Sequence, residues 1–306
     1  MSSFKDDELT DAETLLATIK HIEVTTQQLA ALKDEDGFMV LSVELLKEAA
    51  SLVALVAGVL PPGSKKWSRD QAIIGGNFVR LFKLLSAHLD QVCQKRQETV
   101  AIISRLMFEC VVDIKFLIKN ASPELFTSYI KYSLRHERKL RDVILENIKD
   151  RGGSKLHIEK RMLTSIERAA KRSGMQIDDI SPSHPRNWGD KNISERTKDV
   201  GLEVTYLGLY GGGSRSIHGG WMDLLHHHLE YEESGFAPNF TWGRPRPQQL
   251  LPISQLILET TREFLMYIGV SASDPIIHRI DDVFGNIRIT DEAHEAFLSS
   301  GTVPSL

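Results

Sequence analysis

Cysteine is nearly absent from the chain, with only Cys93 and Cys110 in 306 residues. That excludes a disulfide framework, and it excludes a cysteine-rich metal module. A long uncharged apolar run is missing too. The greasiest stretch, Phe38 to Leu60, is broken by Glu44, Lys47 and Glu48, so a buried core helix is expected and a bilayer span is not. The opening MSSFKDDELTDAE has neither the basic start nor the apolar run of a secretory signal, which predicts a cytoplasmic protein. No sign of charge dominates. A formal net charge of −4 argues against a strongly basic nucleic-acid binder. Also lacking are internal repeats, low-complexity blocks and any run of alternating strand residues.

What is present is helical punctuation. A hydrophobic content of 42% with 25% charged residues fits a globular fold with a substantial core. Thr10 with Glu13 reads as a capping box before Leu15, Leu16, Ile19 and Ile22. Pro61, Pro62 and Gly63 close the helix that follows, and Ser68 with Gln71 opens a third, reaching about Arg96. A fourth spans Glu98 to Asn120. Ser122, Pro123 and Glu124 supply cap, first-turn proline and first-turn acid for a fifth that continues to Asp150. A basic amphipathic sixth runs from Leu156 to Ser173, before Gly174. The polar, proline-bearing stretch 175–193 reads as a loop, so the chain is either a single helical domain or two packed halves, 1–174 and 194–300. Helical spacing resumes at Ser194 and is expected to hold through Trp221 to Glu232. Residues 235–247 are irregular, Pro252 to Ile268 form a long helix, and Asp274-Pro275 starts a short one. A mobile tail follows Gly301. The expected fold is all-α, a multi-helix bundle of about nine or ten helices.

Two polar stripes stand out. In the segment YLGLYGGGSRSIHGGW, residues Tyr206, Tyr210, Ser214 and His218 recur every four positions and share one helical face. Arg105, Glu109 and Asp113 do the same on an otherwise apolar helix, where buried charges need partners. The two stripes are therefore expected to meet. Arg105 and Glu109 can equally be an exposed i,i+4 pair, or a buried pair that only fixes helix register. Gly211, Gly212 and Gly213 each weaken a helix by about 1 kcal/mol relative to alanine. Three explanations stand open: a close backbone approach, a local break that turns Ser214 toward a ligand, or amides facing an anion.

The pattern Arg-x-x-x-Glu at Arg105 and Glu109, followed by Tyr-x-x-x-Ser-x-x-x-His at Tyr210, Ser214 and His218, resembles a bacterial helical family, domain of unknown function fifty-six seventy-seven. The resemblance covers Ala72 to Tyr231 and implies an all-helical fold with no assigned activity. The triple glycine departs from the family's pattern.

Two functions follow from these residues. The first is a ligand-binding or regulatory module in which Arg105, Glu109, Asp113, Tyr206 and Tyr210 hold a small polar ligand. The second is a metal-independent ribonuclease similar to HEPN-type bundles, although spacing does not mark it: the arginine-histidine matches Arg151 with His157 and Arg288 with His294 are no more than chance supplies. In that reading His218 is the acid-base and Arg215 holds phosphate, and a homodimer or an RNA partner would follow. A catalytic set of Ser214, His218 and Asp113 is a further arrangement on paper, without a nucleophile-elbow pattern around the serine. The basic runs Arg135 to Arg141 and Lys155 to Arg172 could touch phosphates or form solvated faces. No cofactor and no metal are expected, because His226, His227 and His228 are adjacent and point about 100° apart on a helix.

Overall fold

The computed structural model describes residues 14–61, 63–183 and 187–300, and at positions 212 and 215 the backbone alone. The Thr10–Glu13 box and the tail after Gly301 lie outside the described residues. A short helix α1, Thr26–Ala30, precedes α2, Glu35–Ala57, whose cap Asp34 accepts the Gly37 amide at 2.8 Å. The long helices α3 (Arg69–Cys93), α4 (Gln97–Lys119), α5 (Pro123–Asp150) and α6 (His157–Arg172) follow. Local chemistry sets their starts. Ser68 and Gln71 form a reciprocal capping box, and Ser122 caps α5 ahead of its first-turn proline.

The segment 175–193 holds two 3₁₀ turns, Ile177–Asp179 and Trp188–Asp190. It is anchored to the bundle. Trp188 is buried, with its ring edge-on to Phe116 and Tyr129 at centroid distances of 5.5 and 5.0 Å. Next come α7 (Ile193–Asp199), capped by Asn192 and Glu195, and α8 (Glu203–Thr205). The latter continues without a gap into a π-helical stretch, Tyr206–Gly211, and then α9, Gly212–His218.

Here the expected helix through to Glu232 does not hold. Gly219 takes a left-handed φ of 58° and ends α9, after which Gly220 caps α10, Trp221–His227. The chain then forms an antiparallel hairpin, β1 Leu229–Glu232 and β2 Gly235–Pro238, with Tyr231 opposite Phe236. No strand was expected here. The strands are only four residues each and mostly exposed, too short for a period-two pattern to announce them. Two further helices complete the chain, α11 (Pro247–Tyr267) and α12 (Pro275–Ser299). The second is 25 residues long rather than short, because Asp274 caps it and a stripe of Ile276, Ile280, Val283 and Ile287 keeps one face buried.

The fold is all-α with a single small hairpin among the described residues: twelve α-helices, ten of them seven residues or longer. One hydrophobic core draws on α2, α3, α4, α11 and α12, taking residues from both sides of the 175–193 segment. A smaller cluster joins α5 and α6 to Ile177 and Ile180. Helix α4 is central. It packs on α3, α11, α7 and the π-α9 segment, which explains why its faces are apolar nearly all round. Among the described residues no helix is long and apolar enough to cross a membrane.

Candidate functional site

Helix α4 and the segment 203–218 run antiparallel. Phe108 meets Tyr206, Arg105 meets Tyr210, and Ala101 lies against Gly213. Glu109 of α4 and Tyr210 of the π-helical turn converge on Arg105. Its Nε donates to Glu109 Oε1 at 3.1 Å, its Nη2 donates to the Tyr210 hydroxyl at 2.9 Å, and its guanidinium lies 4.2 Å from the Tyr210 ring centroid. The side chain is only 11% exposed, so this ion pair is screened far less than a surface one. Arg105 Nη1 is buried and has no hydrogen-bond partner among the described residues.

The π-helical turn contributes to this geometry. Widening the helix at Tyr206–Gly211 leaves the rings of Tyr206 and Tyr210 stacked, with centroids 4.6 Å apart and planes 14° apart. Stretches of this kind often mark functional positions. Burial raises the Tyr206 phenol above its ordinary range, with the neighbouring Tyr210 acting in the same direction.

Other residues of the stripes lie elsewhere. Asp113 pairs with Arg196 of α7, Nε to Oδ1 at 3.2 Å, and the Arg196 guanidinium stacks over Trp188 at 4.2 Å. Its carboxylate is therefore engaged by α7 and does not orient His218. Ser214 is half-buried and His218 is exposed at the end of α9, neither with a hydrogen bond among the described residues. The backbone of Arg215 belongs to α9, while its side chain lies outside what is described. The adjacent histidines end α10: His226 and His227 in its last turn, His228 at its C-cap.

Burial pushes the Asp113 carboxyl up to about 6, with the Arg196 guanidinium opposing it. The folded state thus holds this proton more tightly than the unfolded chain does. Stability from this group is fully present below pH ~4, the unfolded carboxylate value, and is lost as pH rises through about 6. Melting temperatures of wild type and Asp113→Asn between pH 4 and pH 8 check this. Relative to the variant, wild type should lose stability across that window, and a constant difference would refute the assignment.

A cavity of about 340 Å³ adjoins the crossing of α4, the π-turn and α11. Its walls include Ala101, Ser104, Gly208, Gly213, Gln248 and Pro252. The Gln248 Oε1 is buried without a hydrogen-bond partner among the described residues. The side chains of α11 were outside the sequence-based candidates, since Gln248 and Pro252 lie more than a hundred positions from Ala101 and carry no motif.

Fold and site together define an all-helical protein whose central helix sets a guanidinium and a carboxylate against the phenol of a widened helical turn. The chain belongs to the family described as Family of unknown function (DUF5677), whose model matches residues 71–236. That span carries α3 to β2 and every polar residue of the two stripes, while α2, α11 and α12 lie outside it. Neither the curated proteins nor the solved structures yield a match to the chain.

Proposed function

We propose that the protein is a cytoplasmic ligand-binding or regulatory module, and that the Arg105 cluster and its adjoining cavity hold a small organic anion. The observation that carries this reading is Arg105 Nη1, a charged donor that is buried and has no hydrogen-bond partner among the described residues, on a side chain whose Cβ packs against Gly213 of the cavity wall. A buried donor without an acceptor costs about 1–3 kcal/mol, and more when it is charged. A carboxylate or phosphate oxygen would remove that cost and form a charge-assisted bond. Ala101, Leu209 and Pro252 suit an apolar body for the ligand, and Gln248 Oε1 offers an acceptor to a hydroxyl or amide on it. The two free cysteines, Cys93 and Cys110, fit a reducing compartment. A ribonuclease would rest on His218 and Arg215, and no contact of His218 among the described residues favours it.

Thermal melts with phenyl phosphate, benzoate and inorganic phosphate test the proposal. Wild type should be stabilised by the aromatic anions, by about 2.7 kcal/mol at a hundredfold excess over the dissociation constant. Inorganic phosphate should do less, because it leaves the cavity unfilled. Arg105→Lys, which cannot present the planar fork, should lose most of the response. Melting temperatures of wild type unmoved by all three anions would refute this reading.

A further inference from the structure

A second polar cluster lies about two helical turns from the first, at the start of α4. Glu98 sits in the first turn of that helix, Asp223 in the first turn of α10, and His228 at the α10 C-cap where the hairpin begins. The His228 Nε2 is 3.3 Å from Glu98 Oε1 and 3.7 Å from Asp223 Oδ2. One donor atom from each residue can be chosen so that all three lie within 4.8 Å of one another. An ion bound at about 2.0–2.2 Å holds neighbouring donors about 3–4 Å apart, so small side-chain rotations suffice to close the set.

An independent feature points to a ligand. The Asp223 side chain is only 2% exposed, and its Oδ1 is buried with no hydrogen-bond partner among the described residues. Among the described residues no lysine or arginine pairs with Asp223 or Glu98. A carboxylate left so poorly compensated is costly unless a cation reaches it. Solvent can enter from the His228 side, whose side chain is 44% exposed, so an ion has both a path and open coordination positions.

The surrounding backbone is fixed by its own hydrogen bonds. The His228 carbonyl accepts the Asn239 amide at 2.9 Å, and the Gly243 carbonyl accepts the Gln97 amide at 3.0 Å. At Gly243 an added Cβ would strike the Gln97 side chain. The loop after the hairpin is thereby held against the beginning of α4, next to Glu98.

We propose that Glu98, Asp223 and His228 form a binding site for a divalent transition-metal ion of the zinc or manganese kind. One imidazole with two carboxylates suits such ions better than calcium or magnesium, which favour all-oxygen shells, and better than copper(I), which favours sulfur. The site is separate from the Arg105 cluster and stands without the anion reading. Bound metal would tie α4, α10 and the hairpin together.

Full-length protein stripped with chelator and titrated with Zn²⁺ or Mn²⁺ by calorimetry tests this. One equivalent should bind and raise the melting temperature. Glu98→Gln and Asp223→Asn should each weaken binding tenfold or more, and Glu98→Gln, at a less buried position, guards against a folding defect at Asp223. His226→Ala combined with His227→Ala should bind as wild type does. Folded wild type that takes up neither ion stoichiometrically would overturn the proposal, and so would uptake lost with His226 and His227 but unchanged in Glu98→Gln.

Discussion

Glu48→Ala is expected to lower the unfolding free energy by about 3–5 kcal/mol, the range for removing one partner from a buried ion pair. The Glu48 side chain is 1% exposed in the middle of α2, and it compensates for that burial with three donors. Oε1 accepts from Arg279 Nε of α12 at 2.7 Å and lies 2.9 Å from His21 Nδ1, while Oε2 accepts the Ile22 amide at 2.9 Å. Arg279 also reaches the Ile19 carbonyl through Nη2 at 3.1 Å. A single carboxylate thus fastens residues 19–22 and α12 onto α2. Truncation leaves the Arg279 guanidinium, only 20% exposed, facing a void, and it strands a backbone amide. Urea denaturation of wild type and Glu48→Ala reads the loss directly. Glu48→Leu combined with Arg279→Met should recover much of it, since replacing both charges removes the unpaired one. A loss below about 1 kcal/mol in Glu48→Ala would mean that water takes the place of the carboxylate.

How much of this was legible depends on how local the determining chemistry is. The boundaries at Ser68, Ser122 and Gly174 are set by residues within one turn of the helix end, so cap and stop rules find them. Glu48 shows the other extreme. Beside Glu44 and Lys47 it reads as one more charge interrupting an apolar run, yet those two pair with each other near the surface at 2.7 Å while Glu48 points inward. Its partners lie 26 to 231 positions away. The same holds for the polar stripes. The i,i+4 relation of Arg105 and Glu109 is visible from spacing, and Tyr210 lies across from Arg105, but Asp113 turns to Arg196 because α7 crosses α4 there. Glu98 and His228 are 130 positions apart, a relation no spacing rule can reveal. Hairpin β1-β2 and the length of α12 escaped for a different reason. Strands of four residues are too short to show a period, and the many acids of α12 mask its buried stripe.

Gly213→Val is expected to cost about 1–3 kcal/mol, as overpacking at a close contact does, and to do so where helix propensity alone predicts a gain. An ideal Cβ on Gly213 would lie 2.6 Å from the Ala101 carbonyl oxygen and 2.7 Å from Arg105 Cβ. Neither atom belongs to a flexible side-chain end, so α9 must move away from α4. Of the three explanations for the consecutive glycines, a close backbone approach is the one this position satisfies. Gly211 provides the control: a Cβ there meets nothing within 4 Å, so Gly211→Ala should be neutral or stabilise by up to about 1 kcal/mol. Gly213→Ala decides between the two forces, because it offers the same propensity gain against the clash, and it should fall below Gly211→Ala in stability. The consequence reaches the polar cluster. Arg105 and Tyr210 are held 2.9 Å apart across this same contact, so separating the helices lengthens that bond and lowers the response to aromatic anions along with stability. Paired denaturation curves for the two alanine variants measure the effect. Equal stability would show that α4 and α9 can part at little cost, and that the approach at Gly213 does not fix the Arg105 cluster.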